Sequence, residues 1–168
     1  DQYFYMNGYK DLDLSIDADV NGDGIDDLLI GNRYDDKDAY TTDNGSLAIV
    51  FGTTTGWQDE YLEWVQDVEY QGEGSGAYVT GGSLGDINAD GYDDIHVFGG
   101  GDTQIYLGKQ SGWRHWQGSW PGDHTIVANS GGASQVADAG DVNGDGFDDI
   151  VLSDLNNYAT GGTVFLVE

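Results

Sequence analysis

The sequence predicts an all-β chain of three repeated units, each an antiparallel sheet of four strands like a propeller blade. Glycine is abundant at 28 residues and proline nearly absent at one, which favours many turns and little helix. The apolar runs are short, rich in β-branched or aromatic residues, and bounded by Gly and Asp. An acidic phrase precedes such a run three times, and long-period repeats of this kind are typical of propeller blades.

The acidic phrase begins at Asp19, Asp86 and Asp141 and reads D-[VI]-N-[GA]-D-G-[IYF]-D-D-[LI] in all three copies. The similarity continues beyond it, because "NGSLAIVFGTTTGW" at 44–57 aligns with "GDTQIYLGKQSGW" at 101–113. Each of these segments is a strand-like run followed by G-x-x-x-G-W. The repeated unit is therefore longer than the acidic loop alone.

These alignments divide the chain into blades at 10–75, 76–131 and 132–168, the third without its outer strand. The aromatic segment 1–9 is interpreted as a closing strand for that third unit or for a neighbouring chain. Propellers generally have about four to eight blades. Three units therefore leave three alternatives open: a part of a longer protein, copies that associate into a ring or filament, or an open stack of blades.

Composition limits the classes of partner. The 168 residues include 31 acidic and 5 basic side chains, for a formal charge of -26, so nucleic acids and anionic membrane surfaces would be repelled. Such a charge fits a protein that binds cations, one that lives in salty water, or both. Apolar residues make up 38% of the chain, which favours a folded core over disorder. No apolar run approaches the roughly 20 residues of a membrane span, and the lack of cysteine excludes disulfides.

The acidic loops have the ligand pattern of a calcium site. Counted from the first aspartate, side-chain oxygens occupy positions 1, 3, 5 and 9, and a glycine at position 6 provides a sharp turn. Position 7 has no useful side-chain oxygen, so its backbone carbonyl is the expected ligand. Ca²⁺ takes about six to eight hard oxygens, whereas Mg²⁺ prefers to keep its waters. The predicted ligands, for about three calcium ions, are Asp19, Asn21, Asp23, Ile25 and Asp27; Asp86, Asn88, Asp90, Tyr92 and Asp94; and Asp141, Asn143, Asp145, Phe147 and Asp149.

Other loop types share parts of this phrase. Asp, Asn and Gly form good turns without any metal. An EF-hand needs an acid at position 12 and a following helix, but position 12 here is Ile30, Val97 or Leu152 in a strand-like run. Thrombospondin-like calcium repeats depend on cysteines, which the chain lacks. The remaining acids, at position 8, are expected to face solvent or to support the ligands; they are Asp26, Asp93 and Asp148.

The phrase D-x-N-x-D-G-x-x-D before an apolar strand resembles the FG-GAP repeat, the blade of the integrin alpha-subunit β-propeller and of many secreted bacterial proteins. The resemblance covers nearly the whole chain. It implies that each loop joins the first two strands of a blade and holds Ca²⁺ through positions 1, 3, 5, 7 and 9. The family's Gly-Ala-Pro after the second strand and its leading Phe-Gly are not kept, which leaves the packing at blade edges open.

A tryptophan cluster offers a second candidate site. Trp113, Trp116 and Trp120 suit either a ligand-binding platform for sugars or the packing of an outer strand between blades. Packing is favoured, because Trp57 and Trp113 occupy equivalent repeat positions. A carbohydrate-binding module that uses this cluster remains the alternative function.

No catalytic constellation is evident in the sequence. The histidines, His96, His115 and His124, lack the spacing of a zinc site. Glycosidase-like carboxylate pairs are mostly explained by the acidic loops, and no G-x-S-x-G motif or cysteine nucleophile is present. We therefore expect no enzymatic activity, with an accessory role in a secreted hydrolase as an alternative.

These patterns and the resemblance predict a secreted or cell-surface calcium-binding protein of a bacterium or archaeon. The resemblance implies adhesion, protein–protein interaction or structural assembly, with another protein or copies of itself as partner. Calcium is expected to rigidify the blades. Extracellular calcium modules bind the ion at about 10⁻⁴ to 10⁻³ M, so such sites would be filled outside a cell and largely empty within.

Overall fold

The computed structural model describes residues 4–5, 12–35, 43–56, 60–61, 66–72, 77–99, 102–117, 122–126, 134–154 and 163–167. All regular structure in these ranges is β-strand, so the predicted all-β class is confirmed. Accordingly, these ranges contain no helix with the length and apolar character needed to cross a membrane.

The strands follow one another as short segments separated by turns and loops. Their bounds are β1 Phe4–Tyr5, β2 Leu12–Ala18, β3 Asp27–Asn32, β4 Ser46–Val50, β5 Glu60–Tyr61, β6 Val68–Gln71, β7 Thr80–Gly85, β8 Asp94–Gly99, β9 Asp102–Tyr106, β10 Trp116–Gln117, β11 His124–Ile126, β12 Ser134–Gly140, β13 Asp149–Asp154 and β14 Thr163–Val167.

Three sheets each contain one acidic loop. Their strand orders are β10-β6-β4-β3-β2, β11-β9-β8-β7 and β12-β13-β14. Each loop joins two adjacent antiparallel strands: β2 and β3, β7 and β8, or β12 and β13. We refer to β2–β4 with β6 as repeat 1, β7–β9 with β11 as repeat 2, and β12–β14 as repeat 3. The loops at 19–27, 86–94 and 141–149 are loops 1, 2 and 3.

The entry into each loop has the same irregularity. The pairing register shifts between Ser15 and Ala18 in repeat 1, between Ser83 and Gly85 in repeat 2, and between Asp138 and Gly140 in repeat 3. A bulge of this kind bends a strand and re-aims the residues that follow it. Each acidic loop therefore leaves its sheet from an equivalent bend.

Two short parallel pairings depart from the simple repeat. β10 lies in the segment 76–131 assigned to the second blade, yet it pairs in parallel with β6 of repeat 1. β1 pairs in parallel with β5. Among the described residues β1 has no pairing with repeat 3, and the closing role of residues 1–9 stays a prediction.

The apolar cores lie between successive repeats. The first cluster joins repeats 1 and 2 and comprises Ala18, Val20, Leu29, Leu47, Ile49, Val68, Tyr70, Val79, Ile95, Val97 and Tyr106. The second joins repeats 2 and 3 and comprises Leu84, Ile105, Val136 and Ile150. Because burying one such large apolar side chain stabilises a protein by about 1.5–3 kcal/mol, each repeat depends on its neighbour for stability.

Candidate functional site

Each acidic loop turns through a glycine in the left-handed region. Gly24, Gly91 and Gly146, all at position 6, have φ angles of 83°, 90° and 94°. A Cβ on any of them would meet no atom within 4 Å, so the backbone angle, rather than lack of space, requires glycine here. The sharp turn predicted from the sequence is confirmed.

In loop 1, side-chain oxygens at positions 1, 3 and 5 accept main-chain N–H groups of the same turn. The N–H groups of Asp23 and Gly24 donate to the two carboxylate oxygens of Asp19 at 3.0 and 2.8 Å. The Asp23 N–H also donates to the Asn21 side-chain oxygen at 2.9 Å, and the Ile25 N–H donates to Asp23 at 2.9 Å. The side chains of the first three predicted ligands therefore lie around one backbone turn.

Loops 2 and 3 repeat this arrangement bond for bond. The position 1 carboxylate accepts the N–H groups of positions 5 and 6, position 3 accepts that of position 5, and position 5 accepts that of position 7. In loop 2 these distances are 2.9, 2.8, 2.9 and 3.1 Å. In loop 3 they are 3.1, 2.9, 2.8 and 3.0 Å. The three loops thus share one local structure, as their common phrase predicts.

The position 9 aspartate of loop 1 is buried and ties the loop to its sheet. One oxygen of Asp27 accepts the N–H of Val20 at 3.0 Å, and the other accepts the N–H of Gly52 at 2.7 Å. Gly52 is the first glycine of a G-x-x-x-G-W phrase. A Cβ there would collide with the Asp26 carbonyl, so glycine permits the approach to Asp27.

The position 9 aspartates of the other loops make corresponding bonds. Asp94 accepts the N–H of Ile87 at 3.1 Å and that of Gly108, the equivalent of Gly52, at 2.7 Å. Asp149 accepts the N–H of Val142 at 2.9 Å. The G-x-x-x-G-W phrase is repeated in the sequence, but its hydrogen bond to position 9 was not predicted. The bond joins the end of one strand to the start of another, and these are far apart in the chain.

Burial and charge oppose ionisation at position 9. Burial raises the pKa of Asp27 to about 6, against the lowering effect of the N–H groups of Gly52 and Val20. Burial likewise raises the pKa of Asp94 to about 6. By contrast, the N–H of Gly146 is the main group that holds the pKa of the exposed Asp141 below its ordinary value. Burial therefore disfavours the charged form of Asp27 and Asp94, whereas hydrogen bonds favour that of Asp141.

The aspartates at position 8 were expected to face solvent or to support the ligands. Asp93 and Asp148 each bind a predicted ligand residue of the preceding loop, which the sequence did not indicate. Asp93 accepts the N–H of Asp19 at 2.7 Å and donates its own N–H to the Asp19 carbonyl at 3.1 Å. Asp148 makes the same two contacts with Asp86, at 2.8 and 3.1 Å. Asp26, at position 8 of loop 1, is exposed as expected.

A second contact links loops 1 and 2. Gly22, at position 4 of loop 1, has a φ of 71°, and a Cβ there would collide with the Tyr92 ring of loop 2. The Lys109 N–H also donates to the Val20 carbonyl at 3.0 Å. Successive loops therefore form a continuous, hydrogen-bonded row at one end of the sheets.

The donor set of each loop fits Ca²⁺ chemically. It consists of carboxylate, amide and carbonyl oxygens, which are the ligands that Ca²⁺ prefers. A carboxylate oxygen that accepts one N–H keeps a further lone pair for a cation. Within the described ranges, however, no three His, Asp or Glu side chains lie close enough together to hold a metal ion. The assignment of the ligands therefore stays a prediction.

The tryptophan cluster is described only in part. The Trp113 side chain packs against the core between repeats 1 and 2, and its Nε1–H donates to the Lys109 carbonyl at 2.9 Å. The Lys109 ammonium lies 4.9 Å from the centre of the Trp113 ring. The backbone of Trp116 belongs to β10, and Trp120 lies outside the described residues. The contacts of Trp113 are those of a packing residue.

The three histidines lie apart in the chain and differ in environment. His115 and His124 are exposed. His96 is largely enclosed on β8, and burial lowers its pKa to about 4, so its imidazole is neutral at pH 7. In the described ranges none of them belongs to a metal-binding cluster.

Models of one repeat family match two parts of the chain. A model of the FG-GAP repeat matches residues 14–50, which contain loop 1 and its flanking strands. A model of the FG-GAP-like repeat matches residues 86–152, which contain loops 2 and 3. Together the matches cover more than half of the sequence. The chain is an FG-GAP repeat protein. The resemblance carried by the acidic phrase is thereby confirmed, and FG-GAP repeats indicate the β-propeller type of protein-interaction domain. No curated protein matches this FG-GAP repeat protein in sequence.

Proposed function

We propose that this FG-GAP repeat protein is an extracellular interaction module whose acidic loops are held rigid by calcium. The common hydrogen-bond geometry of the three loops carries the proposal. In each loop, the side-chain oxygens of positions 1, 3 and 5 accept N–H groups of one turn. The carboxylate of position 9, at the start of the next strand, accepts the N–H of position 2. Each loop therefore brings three carboxylates to one short segment that contains no basic side chain, and a dication would neutralise them.

Electrostatics supports a cation in these loops. After burial, the charges of Asp19 and Asp23 further raise the pKa of Asp27, and the charges of Asp90 and Asp86 do the same for Asp94. With only 5 basic residues in the chain, the protein has few positive side chains of its own to relieve this repulsion. Bound Ca²⁺ would supply the missing positive charge, and binding would be coupled to folding.

The hydrogen bonds between successive loops would let calcium in each loop fix the positions of the repeats relative to one another. Asp93 joins loop 2 to loop 1, and Asp148 joins loop 3 to loop 2. A loop that keeps its shape therefore holds the main chain of its neighbour in place. The inter-repeat cores then stay aligned, and a surface for a protein partner keeps one geometry.

The proposed setting is outside the cell. Sites of the extracellular kind, with affinities of about 10⁻⁴ to 10⁻³ M, are filled by calcium only where the ion is abundant. The negative charge of -26 disfavours nucleic acids. We propose a protein partner and no catalytic role for the chain.

Calorimetric titration of the calcium-free protein tests the metal assignment. We expect three Ca²⁺ ions to bind, and Mg²⁺ to bind more weakly because the donors are not arranged as a tight octahedron. Asp90→Ala should remove only the second site and leave two. Asp26→Ala is the matched control, since Asp26 is an exposed acid of loop 1 outside the predicted ligands; it should keep all three. Binding of three ions by the Asp90 variant, or of none by the native chain, would disprove the calcium assignment.

A further inference from the structure

A small cavity lies between repeats 1 and 2, apart from the predicted calcium ligands. The residues after β9 lead to β10, which pairs with β6, so the segment 107–115 crosses from repeat 2 to repeat 1. The cavity lies against this crossing segment and has a volume of about 150 Å³. It is bounded by two repeats that pack on each other within the chain. Its lining includes Tyr70, Tyr106, Lys109, Trp113, Arg114 and Asp123.

The aromatic walls of the cavity are held in place by the core. The side chains of Tyr70 and Tyr106 are only 4% and 8% exposed, and the centres of their rings are 4.7 Å apart. Trp113 packs against the same apolar cluster, and its Nε1–H donates to the Lys109 carbonyl. A ligand that enters the cavity therefore contacts a preformed surface, which lowers the entropy cost of binding.

The hydroxyl group of Tyr106 can bind such a ligand. It is buried and has no hydrogen-bond partner among the described residues, which costs free energy unless a partner is supplied. Burial raises the pKa of Tyr106, and the charge of Asp123 adds to this effect, so the hydroxyl keeps its proton. One oxygen of Asp123 already accepts the Leu107 N–H at 2.9 Å. Tyr106 is therefore a hydrogen-bond donor for an acceptor in the cavity.

The charge of the cavity lining is opposite in sign to that of the whole chain. Lys109 and Arg114 are two of the 5 basic residues, and neither forms an ion pair with a described residue. The Lys109 ammonium instead lies over the Trp113 ring. Asp123 is the acid among the described lining residues, so the lining has a net positive charge in a chain of charge -26. An anionic group therefore matches this cavity in charge.

The size and composition of the cavity indicate what carries the anionic group. Small-molecule sites have volumes of about 300–1,000 Å³, so a cavity of about 150 Å³ accommodates one side chain rather than a whole ligand. Tyrosine, tryptophan and arginine are also the residue types that contribute most to binding at protein–protein interfaces. Both observations favour an acidic side chain of a protein partner.

We propose that this cavity binds the carboxylate of an acidic side chain exposed on a partner protein. Lys109 and Arg114 pair with its charge, and the Tyr106 hydroxyl donates a hydrogen bond to one of its oxygens. This inference rests on the interaction role proposed above and names the chemistry that the partner presents.

Titration of the native protein with two peptides tests this proposal. Both are glycine pentapeptides with blocked ends, and the central residue is glutamate in one and glutamine in the other. In millimolar calcium and about 0.15 M salt, which screens the distant negative charges of the chain, the glutamate peptide should bind with a Kd of about 1–10 mM. Binding should shift the nuclear magnetic resonance signal of the Trp113 indole N–H. The glutamine peptide should bind about tenfold more weakly, because it lacks the charge.

Three variants connect peptide binding to the cavity. Arg114→Gln removes a positive charge at an exposed position and should weaken binding of the glutamate peptide about fivefold or more. Tyr106→Phe removes only the hydroxyl, so it should weaken binding by a similar factor without lowering the melting temperature, since that hydroxyl has no described partner to lose. Arg33→Gln is the matched control, because it removes the same charge at a residue that does not line this cavity. It should leave the affinity unchanged.

The outcomes separate this inference from the calcium proposal. A native chain that binds calcium but shows no Trp113 shift at about 10 mM glutamate peptide would overturn the carboxylate site alone. Equal binding of the two peptides, or unchanged affinity in the Arg114 variant, would also overturn it. Peptide binding without calcium binding would overturn the calcium proposal alone. The methyl glycoside of glucuronic acid is the third probe, and if it binds while the glutamate peptide does not, the assignment to a protein partner is wrong and an acidic polysaccharide supplies the anion.

Discussion

The carboxylate of Asp93 accepts the main-chain N–H of Asp19 at 2.7 Å, and the Asp93 N–H donates to the Asp19 carbonyl at 3.1 Å. These residues are 74 positions apart in the sequence and belong to different acidic loops. Burial raises the pKa of Asp93, and the charges of Asp148, Asp19 and Asp86 add to this effect. The loops are therefore coupled to one another through their own acidic residues.

The link between loops 1 and 2 predicts a loss of stability when Asp93 is removed. Asp93→Ala leaves the half-buried Asp19 N–H without its acceptor, and we expect the free energy of unfolding to fall by about 1–3 kcal/mol. Asp93→Asn keeps an acceptor oxygen and should lose less. Urea denaturation measures both losses.

Asp26→Ala is the control for this comparison, because Asp26 occupies the same loop position but is exposed. It should change the free energy of unfolding by no more than about 0.5 kcal/mol. Equal losses for the Asp26 and Asp93 variants would contradict a role for Asp93 in joining the loops.

Replacing Asp by Asn at positions 5 and 9 of loop 1 should change the free energy of unfolding by different amounts. Asp27→Asn places an amide NH₂ against one of the two N–H groups, of Val20 and Gly52, that Asp27 accepts. We expect a loss of about 1–3 kcal/mol even with a chelator present. Asp23→Asn keeps an oxygen for the Ile25 N–H, so it should be nearly neutral in chelator and weaken only calcium binding. Similar stability of the two variants in chelator would show that the position 9 contacts are unimportant.

Gly22 is predicted to be intolerant of a side chain for two separable reasons. Gly22→Ala strains a φ of 71° and drives a Cβ into the Tyr92 ring. Gly144→Ala, at the equivalent position of loop 3, has a φ of 80° but open space, so it reports the backbone strain alone, about 1 kcal/mol. Thermal denaturation should show a larger loss for Gly22→Ala.

The variant Tyr92→Ala isolates the contact with the ring. The additional loss caused by Gly22→Ala should disappear when Tyr92 is also replaced, which a double-mutant cycle measures. Additive effects of the two substitutions would mean that the ring does not contact Gly22.

In the absence of calcium, stability should rise as the pH is lowered from about 7 to 5. The folded pKa values of Asp27 and Asp94 are about 6, above the unfolded value of 3.8, so in this window the folded state binds more protons than the unfolded state. The folded pKa of His96 is about 4, below the unfolded value of 6.5. This imidazole therefore lowers the stability as the pH falls. Over this window each carboxyl contributes about 1.3 kcal/mol and the imidazole opposes them with about 1.8 kcal/mol, so the net gain is about 1 kcal/mol.

Urea denaturation in chelator at several pH values measures this gain, and the double variant Asp27→Asn with Asp94→Asn should lose it. Calcium should reverse the slope, because its ligands must be deprotonated. A decrease in stability on acidification in chelator would contradict the assignment of the two raised pKa values.

Much of the local structure was predictable from short-range sequence patterns. The all-β class, the strands on both sides of each loop and the glycine turn at position 6 all depend on residues close together in the chain. The contacts of Gly52 with Asp27 and of Asp93 with Asp19 were not predictable, because they join segments from different strands or repeats. The parallel pairing of β10 with β6 was missed for the same reason.

Asp26 and Asp93 show where local information ends. Both occupy position 8 of the same phrase, so the sequence predicts the same local turn around each of them. This prediction succeeds because hydrogen bonds within a loop depend only on neighbouring residues. The tertiary structure makes one a link between loops and leaves the other exposed. The difference arises because repeat 1 packs beside Asp93. The burial of a side chain and its hydrogen-bond partner depend on the neighbouring repeat, which the local sequence does not specify.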